Sequence, residues 1–197
     1  ADGDMNPVPL FKVHMPAGVN DALGRTLASG YIAHGAQVTE FEAGLGRLLG
    51  TSQLCAVTDA SAGLTLALFL SGVRPGDEVV TSPLSCLATV MPIANLFAKP
   101  VWCDIDPDTG MPNASHIGRQ VTERTRAVIV YYWSGNPTDI DSLRPSAPGA
   151  KFVADASEAF GAEIGGKPLA LARADFTIYS FSAVRHVTTG EGGTLVA

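Results

Sequence analysis

Apolar residues follow two different spacings along the chain, and these spacings predict its helices and strands. Between Gln37 and Leu49 they recur every three or four positions and Gly50 follows, which predicts a helix with a glycine stop. Elsewhere, short and nearly continuous apolar runs are typical of buried strands. We predict further helices over Ala62–Val73, Cys86–Phe97 and Ser115–Thr122 and from Asp139 to Leu143, with strands over Glu78–Ser82, Pro100–Ile105, Ala127–Trp133, Lys151–Ala156, Phe176–Phe181 and Thr194–Ala197.

The alternation of these helices and strands predicts an α/β fold, in which helices cover both faces of a mostly parallel central sheet. The sequence contains no repeat, low-complexity segment or interdomain linker, so residues 1–197 are predicted to form a single domain. Sheets of this kind bind ligands beyond the carboxyl ends of their strands. Functional residues are therefore expected on the loops that follow the predicted strands.

Composition limits the expected partners. The chain is 46% hydrophobic and 16% charged, a balance that favours a large buried core over disorder. Its formal net charge of −6, without any cluster of Lys and Arg, makes nucleic acids and anionic membranes poor partners. The longest apolar run, Leu64–Leu70, is too short to cross a bilayer.

The three cysteines, Cys55, Cys86 and Cys103, are odd in number and include no C-x-x-C pair. This spacing argues against a disulfide framework and predicts a cytoplasmic location, where thiols stay reduced. The histidines, cysteines and carboxylates also lack the spacing of metal ligands, so no metal site is expected.

Four segments carry groups suited to a phosphorylated cofactor. Residues 59–64 are D-A-S-A-G-L, 76–89 are G-D-E-V-V-T-S-P-L-S-C-L-A-T, 155–162 are D-A-S-E-A-F-G-A, and 180–193 are S-F-S-A-V-R-H-V-T-T-G-E-G-G. Together and in this order, they resemble motifs of the DegT/StrS-type sugar aminotransferases, which are fold-type I pyridoxal phosphate (PLP) enzymes. The resemblance extends from Val8 to the end of the chain.

This resemblance implies the large domain of a fold-type I PLP transferase. Members of the family are roughly twice as long as this chain, an ordinary size for two domains. The chain is therefore expected to be truncated relative to the family and to lack the small domain.

The segment 180–193 corresponds to the family motif S-F-x-x-x-K-x-(I/L/V)-T-T-G-(E/D)-G-G, whose lysine binds PLP covalently. Arg185 occupies the lysine position. A guanidinium, with a pKa above about 12, stays protonated and delocalised, so it neither attacks an aldehyde carbon nor shuttles a proton well. The resemblance thus implies that Arg185 stands at the catalytic position and impairs transamination.

The segment 155–162 corresponds to the family's D-A-A-(Q/H)-A-x-G-A. The resemblance implies that Asp155 is both catalytic and cofactor-binding, because a carboxylate there keeps the pyridine nitrogen of PLP protonated. The structural alternative is an aspartate that caps a helix N-terminus. Glu158 replaces the usual Gln or His and adds a negative charge near the expected PLP phenolate oxygen, which disfavours PLP.

The segment 59–64 corresponds to the family's S-G-T-(A/S)-A-L, a helix N-terminus that binds phosphate through amides and a hydroxyl. Ser61 keeps this hydroxyl, and Ser180 matches a second one. Ala60 replaces a glycine, which would restrict the backbone or the approach of a phosphate. Asp59 places a carboxylate beside the anion site, and an ordinary helix capped by aspartate is the alternative.

Two further positions complete the cofactor pattern. Cys86 lies where other branches of the family place an aromatic residue that stacks on the PLP ring, although a buried packing cysteine is equally plausible. Tyr132 lies at a position that is often histidine. With Arg185, Ala60 and Glu158, Tyr132 is one of the changes that the resemblance places around the cofactor.

Three hypotheses follow from these residues. The leading one is a shortened homologue of PLP-dependent nucleotide-sugar aminotransferases that is impaired in transamination, with a nucleotide sugar or a small phosphate compound as its ligand. The second is an active glutamate-to-keto-sugar aminotransferase, completed by another chain or by restoring the lysine. The third is a non-catalytic partner subunit of a full-length aminotransferase. Family members are dimers with shared sites, so a homo- or heterodimer is expected.

Overall fold

The computed structural model describes residues 12–171 and 173–197. The start of the family resemblance at Val8, and the first part of the predicted domain 1–197, lie outside these residues.

Nine strands lie within the described residues, and seven of them form one central sheet. In chain order they are Leu54–Val57 (β1), Glu78–Thr81 (β2), Lys99–Trp102 (β3), Thr125–Tyr131 (β4), Lys151–Asp155 (β5), Glu163–Ile164 (β6), Lys167–Pro168 (β7), Phe176–Ser180 (β8) and Gly193–Val196 (β9). The sheet has the strand order β1-β9-β8-β5-β4-β2-β3, while β6 and β7 form a separate hairpin.

The sheet is mostly parallel, as the sequence predicted. Strands β3, β2, β4, β5 and β8 run parallel to one another, whereas β9 is antiparallel to both β8 and β1. Strand β9 is antiparallel to β8 because the loop 181–192 leaves the carboxyl end of β8 and enters β9 at the same edge of the sheet. This loop, which carries Arg185, is therefore held beside the carboxyl ends of β5 and β4.

Helices cover both faces of the sheet, which confirms the predicted layers. Val79 and Val80 alternate between two separate apolar cores, and so do Ile178 and Tyr179, because successive side chains of a strand point to opposite faces. The helices are Val19–Ser29 (α1), Ala36–Leu49 (α2), Ala60–Leu70 (α3), Leu87–Asn95 (α4), Ala114–Gly118 (α5) and Ile140–Leu143 (α6). One core includes side chains from α2, α5 and α6, and the other includes side chains from α3 and α4.

The observed elements differ from the predicted ones mainly at their ends. The helix predicted over Ala62–Val73 begins at Ala60, because Asp59 caps it. It ends at Leu70, because Gly72 has a φ of +85°, which is incompatible with a continuing helix. The strand predicted over Pro100–Ile105 ends at Trp102.

Sequence patterns missed α1, β1 and the β6–β7 hairpin. Helix α1 has apolar residues at helical spacing, Val19, Ala22, Leu23 and Leu27, so the pattern was available in the sequence although no residue of this helix is buried. Strand β1 has four residues of intermediate burial at the edge of the sheet, too short a run to be distinguished from a loop.

Among residues 12–171 and 173–197, no helix combines the length and the apolar character that crossing a membrane requires. The same ranges contain no group of three or more His, Cys, Asp or Glu side chains arranged to hold a metal ion.

Candidate functional site

A cavity of about 160 Å³ lies at the carboxyl ends of β4, β5 and β8 and beside the N-terminus of α3. It brings together residues from five distant segments of the chain. Most of the site residues expected from the sequence line it, namely Ala60, Ser61, Cys86, Asp155, Ser180 and Arg185. Glu158 does not line this cavity but contacts it through Arg185.

Asp155, the last residue of β5, is the buried carboxylate of the site, with 1% of its surface exposed. Its Oδ2 accepts a hydrogen bond from Thr89 Oγ1 (2.8 Å), and its Oδ1 accepts from the hydroxyl (2.6 Å) and the amide (3.1 Å) of Ser157. Burial raises the pKa of Asp155, although these hydrogen bonds and the charge of Arg185 act in the opposite direction. The residues after Asp155 form turns rather than a helix, so the helix-cap alternative for this residue is wrong.

Arg185 forms a partly buried ion pair with Glu158. The distance between Arg185 Nη1 and Glu158 Oε1 is 3.1 Å, and the two side chains are 20% and 28% exposed. The other oxygen of Glu158 accepts a hydrogen bond from the backbone amide of Ser134 at 2.9 Å. Among the described residues, Arg185 Nε is buried and has no hydrogen-bond partner. The guanidinium is thus fixed on one side only.

The turn that holds Glu158 is itself tightly packed. Ser134 has a positive φ of 54°, and Gly135 follows with a φ of 77°. A Cβ at Gly135 would lie 2.9 Å from the carbonyl oxygen of Glu158, so only glycine allows the turn to approach this closely. Glu158 is therefore anchored by this turn independently of Arg185.

Tyr132 does not face the site. Its ring is 1% exposed in the core that contains α2, α5 and α6, and its hydroxyl donates to the carbonyl of Thr138. The expectation that Tyr132 lies beside the cofactor is wrong. The preceding residue, Tyr131, lines the cavity instead, because adjacent side chains at the end of a strand point to opposite faces.

The N-terminus of α3 is capped by the protein itself. Asp59 Oδ1 accepts a hydrogen bond from the amide of Ala62 (2.9 Å), and its Oδ2 accepts from Thr58 Oγ1 (3.2 Å). The Asp-capped helix proposed as the alternative for this segment is therefore present. The helix begins at Ala60 without a positive φ, so alanine causes no backbone strain there.

The expected phosphate-binding hydroxyls also have partners within the chain. Ser61 Oγ donates to the carbonyl of Ala88 at 3.1 Å, and Ser180 Oγ accepts from the amide of Ser182 at 3.4 Å. The backbone of β9 packs directly on this end of the helix, because a Cβ at Gly193 would lie 3.0 Å from the amide nitrogen of Ala60.

A model of one protein family matches this chain. The family is described as the DegT/DnrJ/EryC1/StrS aminotransferase family, and the match covers residues 16–197. The chain belongs to this family. The resemblance that the motifs carried is thereby confirmed, although the roles of individual residues are not tested by it.

Solved structures of other family proteins have the same fold. The sugar aminotransferase CalS13 from Micromonospora echinospora is 34% identical with a TM-score of 0.90, and the match covers 96% of this chain and 54% of CalS13. Spr1654 from Streptococcus pneumoniae, assigned as a sugar aminotransferase and solved in a PLP form, is 29% identical over 96% of this chain and 52% of its own, with a TM-score of 0.89.

DesI, solved in the presence of its TDP-sugar product, is 32% identical with a TM-score of 0.85, and the match covers 95% of this chain and 47% of DesI. The chain thus spans about half the length of these solved relatives.

The cavity residues of this DegT-family chain that were not singled out from the sequence include Thr89, Ser157 and Tyr131. Thr89 and Ser157 hold the carboxylate of Asp155, and Tyr131 forms one wall. Their position relative to the predicted strands could have identified two of them, because Tyr131 lies in a predicted parallel strand and Ser157 follows another, and ligands bind beyond the carboxyl ends of such strands.

Tyr131 and Cys86 lie close together in the cavity. Burial strongly raises the pKa of Tyr131, and Cys86 Sγ lies 3.6 Å from its hydroxyl. Cys86 itself is exposed, so the interpretation of Cys86 as a buried packing residue is wrong.

Proposed function

We propose that this chain is a homologue of the PLP-dependent nucleotide-sugar aminotransferases that is impaired in transamination. The observation that carries the proposal is the side chain at position 185. A guanidinium, paired with Glu158 at 3.1 Å, borders the cavity at the position where the family motif has its lysine.

A guanidinium cannot replace the lysine in either of its roles. It keeps its proton at every pH at which a protein is folded, so it offers no lone pair for attack on a carbonyl carbon. For the same reason it cannot accept a proton and return it during a reaction. Arg185 can still bind an anion or a carbonyl oxygen through its NH groups.

The residues of the cavity do not fit covalently bound PLP. Asp155 suits a pyridine nitrogen, because it is a buried carboxylate that can keep a ring N–H protonated. The opposite end does not suit a phosphate, because Asp59 brings a carboxylate to the helix N-terminus and uses the amide of Ala62. The volume of about 160 Å³ is also below the roughly 300 Å³ at which ligand pockets usually begin.

We therefore assign the remaining site residues to non-covalent binding. Asp155 is the acceptor for an N–H or O–H group of a ligand, and Arg185 is the donor on the opposite side. Ser61 and Ser180 offer hydroxyls beside Ala60, and Cys86 packs at the rim. A nucleotide sugar or a small phosphate compound is the candidate ligand, since the relative DesI was solved with a TDP-sugar. The free cysteines support a cytoplasmic location.

Spectroscopy with added PLP tests this function. We expect PLP to give no long-wavelength absorbance band with the chain, and borohydride treatment to add no pyridoxyl mass to the cavity peptides. Glutamate and a keto sugar should then yield no amino sugar. Peptide mapping separates any label on surface lysines from a label in the site. Amino transfer by the unchanged chain would overturn the proposal.

The outer faces of α3 and α4 support a further candidate role, that of a non-catalytic partner subunit. Five apolar side chains there are between 37% and 71% exposed, namely Leu66, Phe69, Leu70, Leu87 and Met91. Several exposed apolar side chains on two neighbouring helices are typical of a protein interface. Light scattering after size-exclusion chromatography, with the chain alone and mixed with a full-length family member, tests this role. A monomer in both samples would exclude it.

A further inference from the structure

The cavity at the carboxyl ends of β4, β5 and β8 has an acidic lining. Among the described residues, three carboxylates border it, those of Asp59, Asp155 and Glu191, against one guanidinium, that of Arg185. This guanidinium is paired at 3.1 Å with Glu158, which does not line the cavity. A ligand that enters the cavity therefore meets a negative potential, which favours a cation over a phosphate.

Asp155 is the carboxylate of this lining that is best suited to an ion pair with a ligand. Within the described part of the chain, no Lys, Arg or His forms an ion pair with it. Its Oδ1 accepts two hydrogen bonds, but its Oδ2 accepts one, from Thr89. Because a carboxylate oxygen has two lone pairs, Oδ2 can accept a further donor. Asp59 instead uses both of its oxygens at the cap of α3.

Tyr131 provides an independent observation that points to a ligand. This residue is 4% exposed and lines the cavity. Among residues 12–171 and 173–197, its hydroxyl has no oxygen or nitrogen partner, and its one contact of this kind is with Cys86 Sγ at 3.6 Å. Sulfur is a weak hydrogen-bond partner, and a buried hydroxyl without a strong partner is costly. A polar group of a ligand would complete its hydrogen bonding.

We propose that the cavity binds its ligand through a primary ammonium group, which pairs with Asp155 and donates to the hydroxyl of Tyr131. This inference rests on the proposed function, in which binding is non-covalent, and it names the group that enters. An ammonium carries three donors and no acceptor, so it suits a carboxylate, a phenol oxygen and a serine hydroxyl such as that of Ser180. Hydrogen bonds between charged partners are also the strong ones.

The size of the cavity limits how much of the ligand enters. Its volume of about 160 Å³ corresponds to about five water molecules at roughly 30 Å³ each. This space accommodates a sugar ring that carries an amino group, whereas a nucleotide has to remain outside. Of the two candidate ligands, the acidic lining thus favours a nucleotide sugar in its amino form over a small phosphate compound. A keto sugar, which lacks the ammonium, is expected to bind weakly.

Three monosaccharides test the preference for positive charge. Glucosamine is cationic, N-acetylglucosamine is neutral and glucose 6-phosphate is anionic, and their dissociation constants are measured by saturation-transfer NMR titration at pH 7. We expect glucosamine to bind about tenfold or more tightly than N-acetylglucosamine, because its ammonium makes charge-assisted hydrogen bonds. Glucose 6-phosphate should bind most weakly. Equal affinities, tighter binding of the phosphate, or no binding of glucosamine would overturn the inference.

Two carboxylate variants locate the ammonium within the cavity. Asp155→Asn keeps the shape of the side chain and removes its charge, so the affinity for glucosamine should fall by about tenfold or more. Asp59→Ser is the matched control, because it also removes a carboxylate from the lining but keeps a capping oxygen, and it should change this affinity by less than about threefold. Equal losses in both variants would mean that the attraction is diffuse and that Asp155 is not the partner.

Tyr131→Phe tests the second contact, because it removes the hydroxyl and keeps the ring. We expect the affinity for glucosamine to fall by about threefold or more, since one hydrogen bond to a charged group is lost. An unchanged affinity would contradict the role of Tyr131. Circular dichroism of each variant excludes misfolding as the cause of a difference.

The failures of the two proposals are distinguishable. Amino transfer by the unchanged chain overturns the proposed function, whereas the absence of a preference for glucosamine overturns only the inference about the ammonium group.

Discussion

The two edges of the parallel sheet use buried carboxylates in opposite ways. At the amino edge, Glu78 begins β2 and Asp175 immediately precedes β8. At the carboxyl edge, Asp155 ends β5 and faces the cavity. All three side chains are largely buried, yet their charges are balanced by different groups.

Cations neutralise the carboxylates of the amino edge. Glu78 accepts from Thr122 Oγ1 (2.6 Å) and Arg124 Nη2 (2.8 Å), with Lys99 Nζ at 3.9 Å. The Thr122 hydrogen bond is the largest of the effects that lower the pKa of Glu78, and the charges of Arg124 and Lys99 add to it.

Asp175 follows the same pattern. Burial alone would raise its pKa, but hydrogen bonds from Lys151 Nζ (2.8 Å), the Phe152 amide (2.8 Å) and Arg144 Nη1 (3.1 Å) outweigh it, and the pKa is lowered.

At the carboxyl edge, Asp155 instead accepts hydrogen bonds from two hydroxyls and one backbone amide. The nearby cation, Arg185, is paired with Glu158. The pKa of Asp155 is raised as a result of burial. A carboxylate surrounded by cations has its charge neutralised within the protein and contributes to the stability of the fold. A carboxylate held by neutral groups keeps its charge available to a ligand, and this difference distinguishes the candidate site from the structural ion pairs.

Removing Asp175 should have the largest effect on stability. Asp175→Ala leaves the buried Phe152 amide without its acceptor and removes the carboxylate that Arg144 and Lys151 share, so we expect a loss of about 2 kcal/mol in the free energy of unfolding. Chemical denaturation at pH 7 measures this loss. Asp108→Ala, at an exposed turn position, is the control and should cost less than about 0.5 kcal/mol. An equal loss in both variants would show that Asp175 is not a structural anchor.

Glu78→Gln should cost about 1 kcal/mol at pH 7, and the cost should depend on pH. Because the folded-state pKa of Glu78 is lowered, its carboxylate stabilises the fold above the unfolded pKa of about 4.3 and this contribution is lost as the pH falls through the folded pKa. The difference between the wild type and this variant should therefore shrink on acidification. Denaturation curves at several pH values between neutral and acid test it, and a constant difference would contradict the assignment.

The stability change caused by Asp155→Asn at pH 7 should have the opposite sign to that caused by Glu78→Gln. A raised folded-state pKa means that the carboxyl group contributes most below the unfolded pKa of about 3.9 and loses this contribution as the pH rises through the folded pKa. We expect the variant to be more stable than the wild type at pH 7, by about 1 kcal/mol, with the advantage disappearing in acid. The same pH series measures it. If Asp155→Asn destabilised the chain at pH 7 as Glu78→Gln does, the two edges would not differ.

Asp59 offers the smallest and most selective test, because it lies beside the cavity but serves as a helix cap. Asp59→Ser keeps a capping oxygen and should change the unfolding free energy by less than about 0.5 kcal/mol, whereas Asp59→Ala should cost about 1 kcal/mol. Removing the carboxylate should also increase binding of inorganic phosphate in calorimetry, since the helix N-terminus attracts anions. Unchanged phosphate binding in Asp59→Ser would mean that another group excludes anions.

The sequence predicted the layers of the fold and most of the cavity lining, because both depend on local patterns. The nearly continuous apolar runs of β4 and β5 are visible in the residues themselves, and Asp155 and Arg185 lie in recognisable segments. What the sequence could not provide was the direction of individual side chains. Tyr131 and Tyr132 are neighbours with similar chemistry, and only the strand's orientation in the sheet decides which one lines the cavity.

The pairing of Arg185 with Glu158 could not be predicted for a related reason. The two residues are 27 positions apart and meet through loops, where no periodic pattern fixes distance. Motif comparison marked each as a separate departure from the family. Their contact depends on the Ser134 turn, whose positive φ is unusual for a residue other than glycine and leaves no signal in the sequence.

The close packing of Gly193 against the start of α3 has a consequence for the order of folding. Strand β9 reaches the helix end and β1 from far along the chain, and Thr194 Oγ1 bonds the Cys55 carbonyl across 139 positions. Bringing such distant segments together costs loop-closure entropy before any contact compensates for it. We expect the parallel strands β2, β4 and β5 to assemble first and the cavity to close last, when β9 inserts between β8 and β1. Ligand-binding competence should therefore appear during refolding later than most of the secondary structure.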